Sequence, residues 1–159
     1  MSVPDKYLEM GQFYLYYSGQ KKVPYLTIFI GGNHEASNVL DEYHYGGINK
    51  INSGYICENI FYLGRAGVIN FKGLRIGGIS GIYKEFDYKK GHFERNLIQS
   101  KKSIYHNREF EVAKLSQLTG KIDIMLSHDW PNDAIKVEDY NLVCSVKRHF
   151  RKDVIMPLN

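Results

Sequence analysis

Gly31-Gly32-Asn33-His34-Glu35 sets an amide, an imidazole and a carboxylate directly behind two glycines. An amide oxygen and a neutral imidazole are reasonable ligands for a borderline divalent ion. A histidine side chain, with a reference pKa of about 6.5, can also deliver a proton near neutrality. The preceding run, Leu26-Thr27-Ile28-Phe29-Ile30, is apolar without alternation, as in a parallel strand covered on both faces. Further along, Ile122-Asp123-Ile124-Met125-Leu126 reads as a second buried strand, ending in Ser127-His128-Asp129-Trp130-Pro131. Two strands that each deliver a histidine from the C-terminal end suggest one shared site at a sheet edge. Such a site could aim polar groups at a metal-bound phosphate.

Each of these residues also has a plainer use. Gly31-Gly32 would serve as a strand-to-helix turn with Asn33 as a helix N-cap. His128 would serve as a hydrogen-bonded histidine at a strand end, and Trp130 is expected to pack under the site. His44, His106 and His149 read as structural. The stretch 83–105 mixes Lys84, Lys89, Lys90, Lys101 and Lys102 with Tyr83, Phe86, Tyr88, Phe93 and Tyr105, beside His92. That mixture suits phosphate contact with base stacking, and it suits a solvated surface equally.

The elements that must position these groups follow from periodicity. A helix is expected over 4–17, where Tyr7, Met10, Phe13, Tyr14 and Tyr17 recur at spacings of three and four. Then come a strand over 24–30, a helix over 36–45 and a polar loop over 48–54. Strands over 60–63, 67–71 and 74–80 follow, the last two joined by a hairpin turn at 70–73. The 83–105 stretch reads as a loop. A helix over 108–119 carries Val112, Leu115 and Leu118 on one face, and a basic amphipathic helix is expected over 139–153. Strands alternating with helices predict a layered α/β sheet with its site at the strand C-termini.

Composition bounds the reading. The 159 residues are one domain's worth, and 43% apolar with 24% charged residues is ordinary for a globular protein. No apolar run approaches the roughly 20 residues needed to span a bilayer, and the first residues lack the layout of a signal peptide. Cys57 and Cys144 are too far apart for a CxxC metal site and read as reduced thiols. A net charge of +4 permits a polyanionic partner without demanding one. The 13 tyrosines supply stacking surface with polar tips, which suits RNA contact, interfaces and cores alike. Nothing in the sequence specifies an oligomeric state.

The two strand ends resemble those of the calcineurin-like metallophosphoesterases. Further blocks narrow the resemblance: Pro4-Asp5-Lys6-Tyr7-Leu8-Glu9-Met10-Gly11, Tyr16-Tyr17-Ser18-Gly19, Leu74-Arg75-Ile76-Gly77-Gly78-Ile79-Ser80-Gly81-Ile82-Tyr83 and Gly91-His92-Phe93-Glu94. With the strand ends, this ordered set resembles the RNA lariat debranching enzymes over residues 4–153. The resemblance implies a partial metallophosphoesterase domain: an incomplete layered α/β sandwich with a lariat-recognition loop at 83–105. It implies hydrolysis of the 2′–5′ phosphodiester at an intron branch point, after splicing and in the nucleus. Asn33 and His128 match ligands of one divalent metal (Fe, Zn or Mn), and His34 matches the histidine that helps the leaving oxygen depart. Lys84, Tyr88, Lys89, Lys90 and His92 fall where branched RNA is bound.

The pattern is not filled. The family's Cys/Asp-x-His and Gly-Asp blocks are expected upstream of Pro4 and its His-x-His block downstream of Phe150, yet no histidine precedes His34 or follows His149. The expectation is a chain that does not hold the metal tightly and is inactive alone, as from a truncated or misassembled gene model. An insertion at 48–54 reads either as a surface loop or as a translated intron remnant. The alternatives are a non-catalytic relic that binds branched RNA, a metallophosphoesterase of other specificity, and a non-functional fragment.

Overall fold

The computed structural model describes residues 4–44, 54–94, 101–131 and 139–146. Helices alternate with two mixed three-stranded sheets, an α/β arrangement. The helices are α1 (Phe13–Tyr17), α2 (Ser37–His44), α3 (Glu85–Tyr88), α4 (Glu109–Ser116) and α5 (Tyr140–Val146). The strands are β1 (Thr27–Phe29), β2 (Tyr55–Cys57), β3 (Ile60–Tyr62), β4 (Ala66–Phe71), β5 (Leu74–Ile79) and β6 (Ile124–Ser127). The first sheet has the order β1-β3-β2, with β1 parallel to β3, and the second has the order β4-β5-β6, with β5 parallel to β6.

The expected helix over 4–17 is divided. A single 3-10 turn, Asp5–Tyr7, precedes Gly11, whose φ of +51° lies in the left-handed region and breaks the helix before α1 begins. Its stripe of Tyr7, Met10, Phe13, Tyr14 and Tyr17 stays exposed, although Tyr17 reaches the Tyr43 hydroxyl. Burial first, and then this Tyr17 contact, push the Tyr43 hydroxyl up to about 12. The strand expected over 24–30 shortens to β1, parallel as anticipated but only half-buried. The strand β2 was not foreseen. It returns antiparallel on β3 through Glu58 and Asn59, with Asn59 at a φ of +62°.

The β4–β5 hairpin matches expectation closely. Lys72 and Gly73 both take positive φ, +49° and +84°, as a two-residue turn matching the strand twist demands. Ala66 and Ile79 at its open end are buried beneath Tyr83, Tyr88, Val112 and Leu115. Burial of Ile79 contributes about 1.5–3 kcal/mol. Helix α4 thus packs as its period predicts, except that Leu118 lies beyond its end and is exposed. Contrary to expectation, β6 is not a buried strand. Ile124 and Met125 are each 44% exposed, because β6 pairs with β5 on one side and has no strand partner on the other among the described residues. Within 83–105 the described residues include α3 and a 3-10 turn at Ser103–Tyr105. Residues 48–53 of the expected 48–54 insertion, the rest of the helix beyond Val146, and His149 lie outside the described residues.

Candidate functional site

Strand β1 ends at Phe29, and two residues on Gly31 bonds to the chain leaving β5. Its N–H donates to Ser80 Oγ at 3.0 Å, and its carbonyl accepts from Gly81 N–H at 2.8 Å. Ser80 Oγ also donates to the Gly64 carbonyl. Ile79 and Ser127 are register partners, so the C-terminal ends of β5 and β6 lie side by side. Three strand ends therefore converge, with Asn33 and His34 following β1 and His128 following β6.

Gly32 is where His128 meets the chain leaving β1. A side-chain methyl at Gly32 would overlap the His128 ring at Cδ2 and Nε2, so only glycine lets the imidazole lie against this backbone. Gly32 N–H donates to Glu35 Oε2 at 2.6 Å, folding the chain back on itself before α2. Helix α2 starts at Ser37, four residues past Asn33, so Asn33 is not its N-cap. Asp129 steadies the other side. Its Oδ1 lies 3.2 Å from His128 Nδ1 while its Oδ2 accepts from Tyr83 N–H at 2.6 Å. His34 is exposed at the same strand end. Trp130, expected beneath the site, is 44% exposed.

Asn33 also lines an open groove of about 560 Å³ whose other walls include Lys84, Phe86, Phe93, Lys102, Tyr105 and His106. Phe86 is 65% and Phe93 51% exposed. Lys90 Nζ sits 5.8 Å from the centroid of each ring, and Asp87 Oδ1 holds it at 3.0 Å. Asp87 Oδ2 in turn pairs with His106 Nδ1 at 2.8 Å. Burial pushes the His106 imidazole below its usual range. Burial would raise the Asp87 carboxyl, but the hydrogen bonds from His106 and Lys90 outweigh it and hold it low.

The expected RNA-binding residues divide. Lys84 lines the groove, and Lys90 braces its two phenylalanines. Lys89 is exposed and outside the lining, while Tyr88 packs on the Ala66–Ile79 core beside Tyr83. His92 faces Glu111 at 2.7 Å and Arg65 at 3.0 Å. His44 and His106, expected to be structural, both have polar partners, although His106 also lines the groove. His44 Nδ1 accepts Arg65 N–H at 3.3 Å. Asp129, Phe86, Phe93, Lys102 and Tyr105 were not singled out as site residues. For Asp129 a signal existed: a carboxylate adjoining a candidate metal-binding histidine is a common orienting partner.

Asn33 and His128 suit a divalent ion by donor type and fall short of it in number. Among the described residues no group of three or more His, Cys, Asp or Glu side chains is arranged to hold a metal.

No family model matches the chain. It is 53% identical over 156 residues to the lariat debranching enzyme of Homo sapiens, which covers 97% of this chain and 27% of that protein. It is 50% identical over 159 residues to the enzyme of Schizosaccharomyces pombe, covering 97% of this chain and 32% of that protein. Against the Drosophila melanogaster enzyme it is 53% identical over 133 residues, 82% of this chain and 24% of that one. The chain thus spans about a quarter to a third of the curated relatives it matches, and across 97% of its own length it is similar to one stretch of the lariat debranching enzymes.

Proposed function

We propose that this chain forms part of a metal-dependent phosphodiesterase site of the lariat-debranching type, acting on the 2′–5′ linkage of branched RNA in the nucleus. The observation that carries this reading is the contact of the His128 ring with Gly32. It joins the two strand ends that carry Asn33, His34 and His128, beside a groove walled by lysines and exposed aromatics. Lysines satisfy phosphates and aromatic rings stack on splayed bases, the combination that branched RNA requires. The roughly 50% identity to lariat debranching enzymes supports the substrate class.

In this reading the strands stack as in a metallophosphoesterase sandwich. In the proposed hydrolysis, water adds to phosphorus and loses a proton to solvent, the P–O2′ bond breaks, and His34 gives its proton to the departing 2′ oxygen. Lys84 and Lys102 face the phosphates, with Tyr88, Lys89, Lys90 and His92 in the same recognition segment. Asn33 and His128 contribute two donors toward an Fe, Zn or Mn ion that needs further donors. Two donors alone do not hold such an ion.

A synthetic 2′–5′ branched RNA, incubated with the chain and added Mn(II) or Fe(II), tests the partial-site reading. Less than one turnover is expected. Multiple turnover abolished by His34→Ala would establish a complete metal site and contradict it. A second reading, a non-catalytic binder of branched RNA, is favoured by the sparse donor set among the described residues. Affinity for branched RNA unchanged by chelator and by His34→Ala would select it.

A further inference from the structure

The segment 91–94 is held by charge rather than by apolar packing. His92 Nε2 lies 2.7 Å from Glu111 Oε1 on α4, and because a carboxylate only accepts, Nε2 carries the shared hydrogen. Arg65 Nη1 sits against the same ring, 3.0 Å from Nδ1 and 3.3 Å from Nε2. The guanidinium is itself clamped, with Nε 2.7 Å from Asp41 Oδ1 on α2 and Nη1 donating to the Ile104 carbonyl at 3.0 Å. Two residues on, Glu94 accepts from Arg108, whose side chain is 1% exposed and whose guanidinium lies 5.6 Å from the Phe93 ring centroid. Arg108 also donates to the Ser103 carbonyl at 3.1 Å. Phe93, a wall of the groove, is therefore anchored on both sides through its neighbours.

Three carboxylates, Asp41, Glu94 and Glu111, meet two guanidiniums in this cluster. Asp41 pairs with Arg65 and Glu94 with Arg108, so the imidazole is the nearest partner of Glu111. Glu111 is buried, and its Oε2 has no hydrogen-bond partner. A buried carboxylate this sparsely satisfied is costly, and position 111 packs beside the core residue Val112. Its one strong contact ties α4 to the groove wall.

We propose that His92, held by Glu111 and Arg65, is a positioning residue that sets Phe93 and the aromatic wall of the groove beside the strand ends, and thereby governs how tightly RNA is held. The claim about RNA rests on the function proposed above; the claim about the wall does not. Both are tested on the full chain by comparing Glu111→Ala with Glu111→Gln, which keeps an acceptor for the Nε2 hydrogen. The readouts are hydrogen exchange of the 84–94 segment and of the β4–β5 hairpin, and affinity for a synthetic 2′–5′ branched RNA. Glu111→Ala is expected to raise exchange in 84–94 about tenfold with the hairpin unchanged, and to weaken RNA affinity by about the same factor. Glu111→Gln should restore both. Exchange in 84–94 that stays at the wild-type level in Glu111→Ala overturns the proposal. So does faster exchange of hairpin and segment together, which marks Glu111 as general support for the core. If the wild-type chain shows no preference for branched RNA, the functional reading fails, and the exchange comparison alone decides the positioning claim.

Discussion

At the residue scale the site depends on one missing side chain. Gly32 allows the His128 imidazole to lie on the end of β1, and Asp129 fixes that ring from the opposite side. Gly32→Ala would insert a methyl into the ring. The His128 side chain is 40% exposed, so the ring can yield toward solvent at the expense of its Asp129 contact, and the fold should lose about 1 kcal/mol. The ring itself should move. NMR of the imidazole carbon-bound protons is expected to show a displaced His128 with a nearly unchanged melting temperature. An unmoved ring would mean that the contact does not define the site. The sequence disclosed which residues to watch, since an Asn-His pair behind two glycines is rare as simple packing. It did not disclose that the second glycine exists for the distant histidine, because that approach depends on how two sheets abut.

At the element scale, local signals were reliable wherever the chain obeyed its own period. The β4–β5 hairpin and α4 formed as patterned, because turn chemistry and an apolar face agreed there. The expected 4–17 helix failed at Gly11, where a left-handed residue interrupts a continuous apolar stripe. Strand β6 read as buried from its composition, yet burial is conferred by neighbours, and composition does not report them. The described part of the segment up to Glu94 showed no period because ion pairs from Asp87, His92 and Glu94 to residues distant in sequence hold it.

Two histidines in these elements make stability depend on pH. Burial first, with nearby Lys114 and Arg65, pushes His44 down, and burial pushes His106 down. Each binds a proton less readily folded than unfolded, so the unfolded chain takes up protons first on acidification. Stability should therefore begin to fall as pH drops below about 6.5. Asp87 and Glu111, held low by their hydrogen bonds against burial, add a further loss as pH falls through about 4. Thermal unfolding between pH 7.5 and 5 should show a falling midpoint, with a shallower slope in His106→Asn. A flat profile across that range would refute this assignment.

At the scale of the whole molecule, Asn33 links the converging strand ends to a groove lined by lysines and aromatics, and the buried Arg108–Glu94 pair adjoins Phe93 in its wall. The chain spans about a quarter to a third of the lariat debranching enzymes it resembles, and among the described residues no group of three or more His, Cys, Asp or Glu side chains is arranged to hold a metal. Recognition of branched RNA is accordingly the property most exposed to test. The direct measurement is equilibrium binding of the full chain to a 2′–5′ branched RNA and to a linear 3′–5′ RNA of the same composition, at one fixed salt concentration, because phosphate contacts respond steeply to salt. The account predicts affinity for the branched form about tenfold higher, a preference worth about 1.4 kcal/mol, and reduced by Lys84→Ala. Equal affinity for the two RNAs would contradict it.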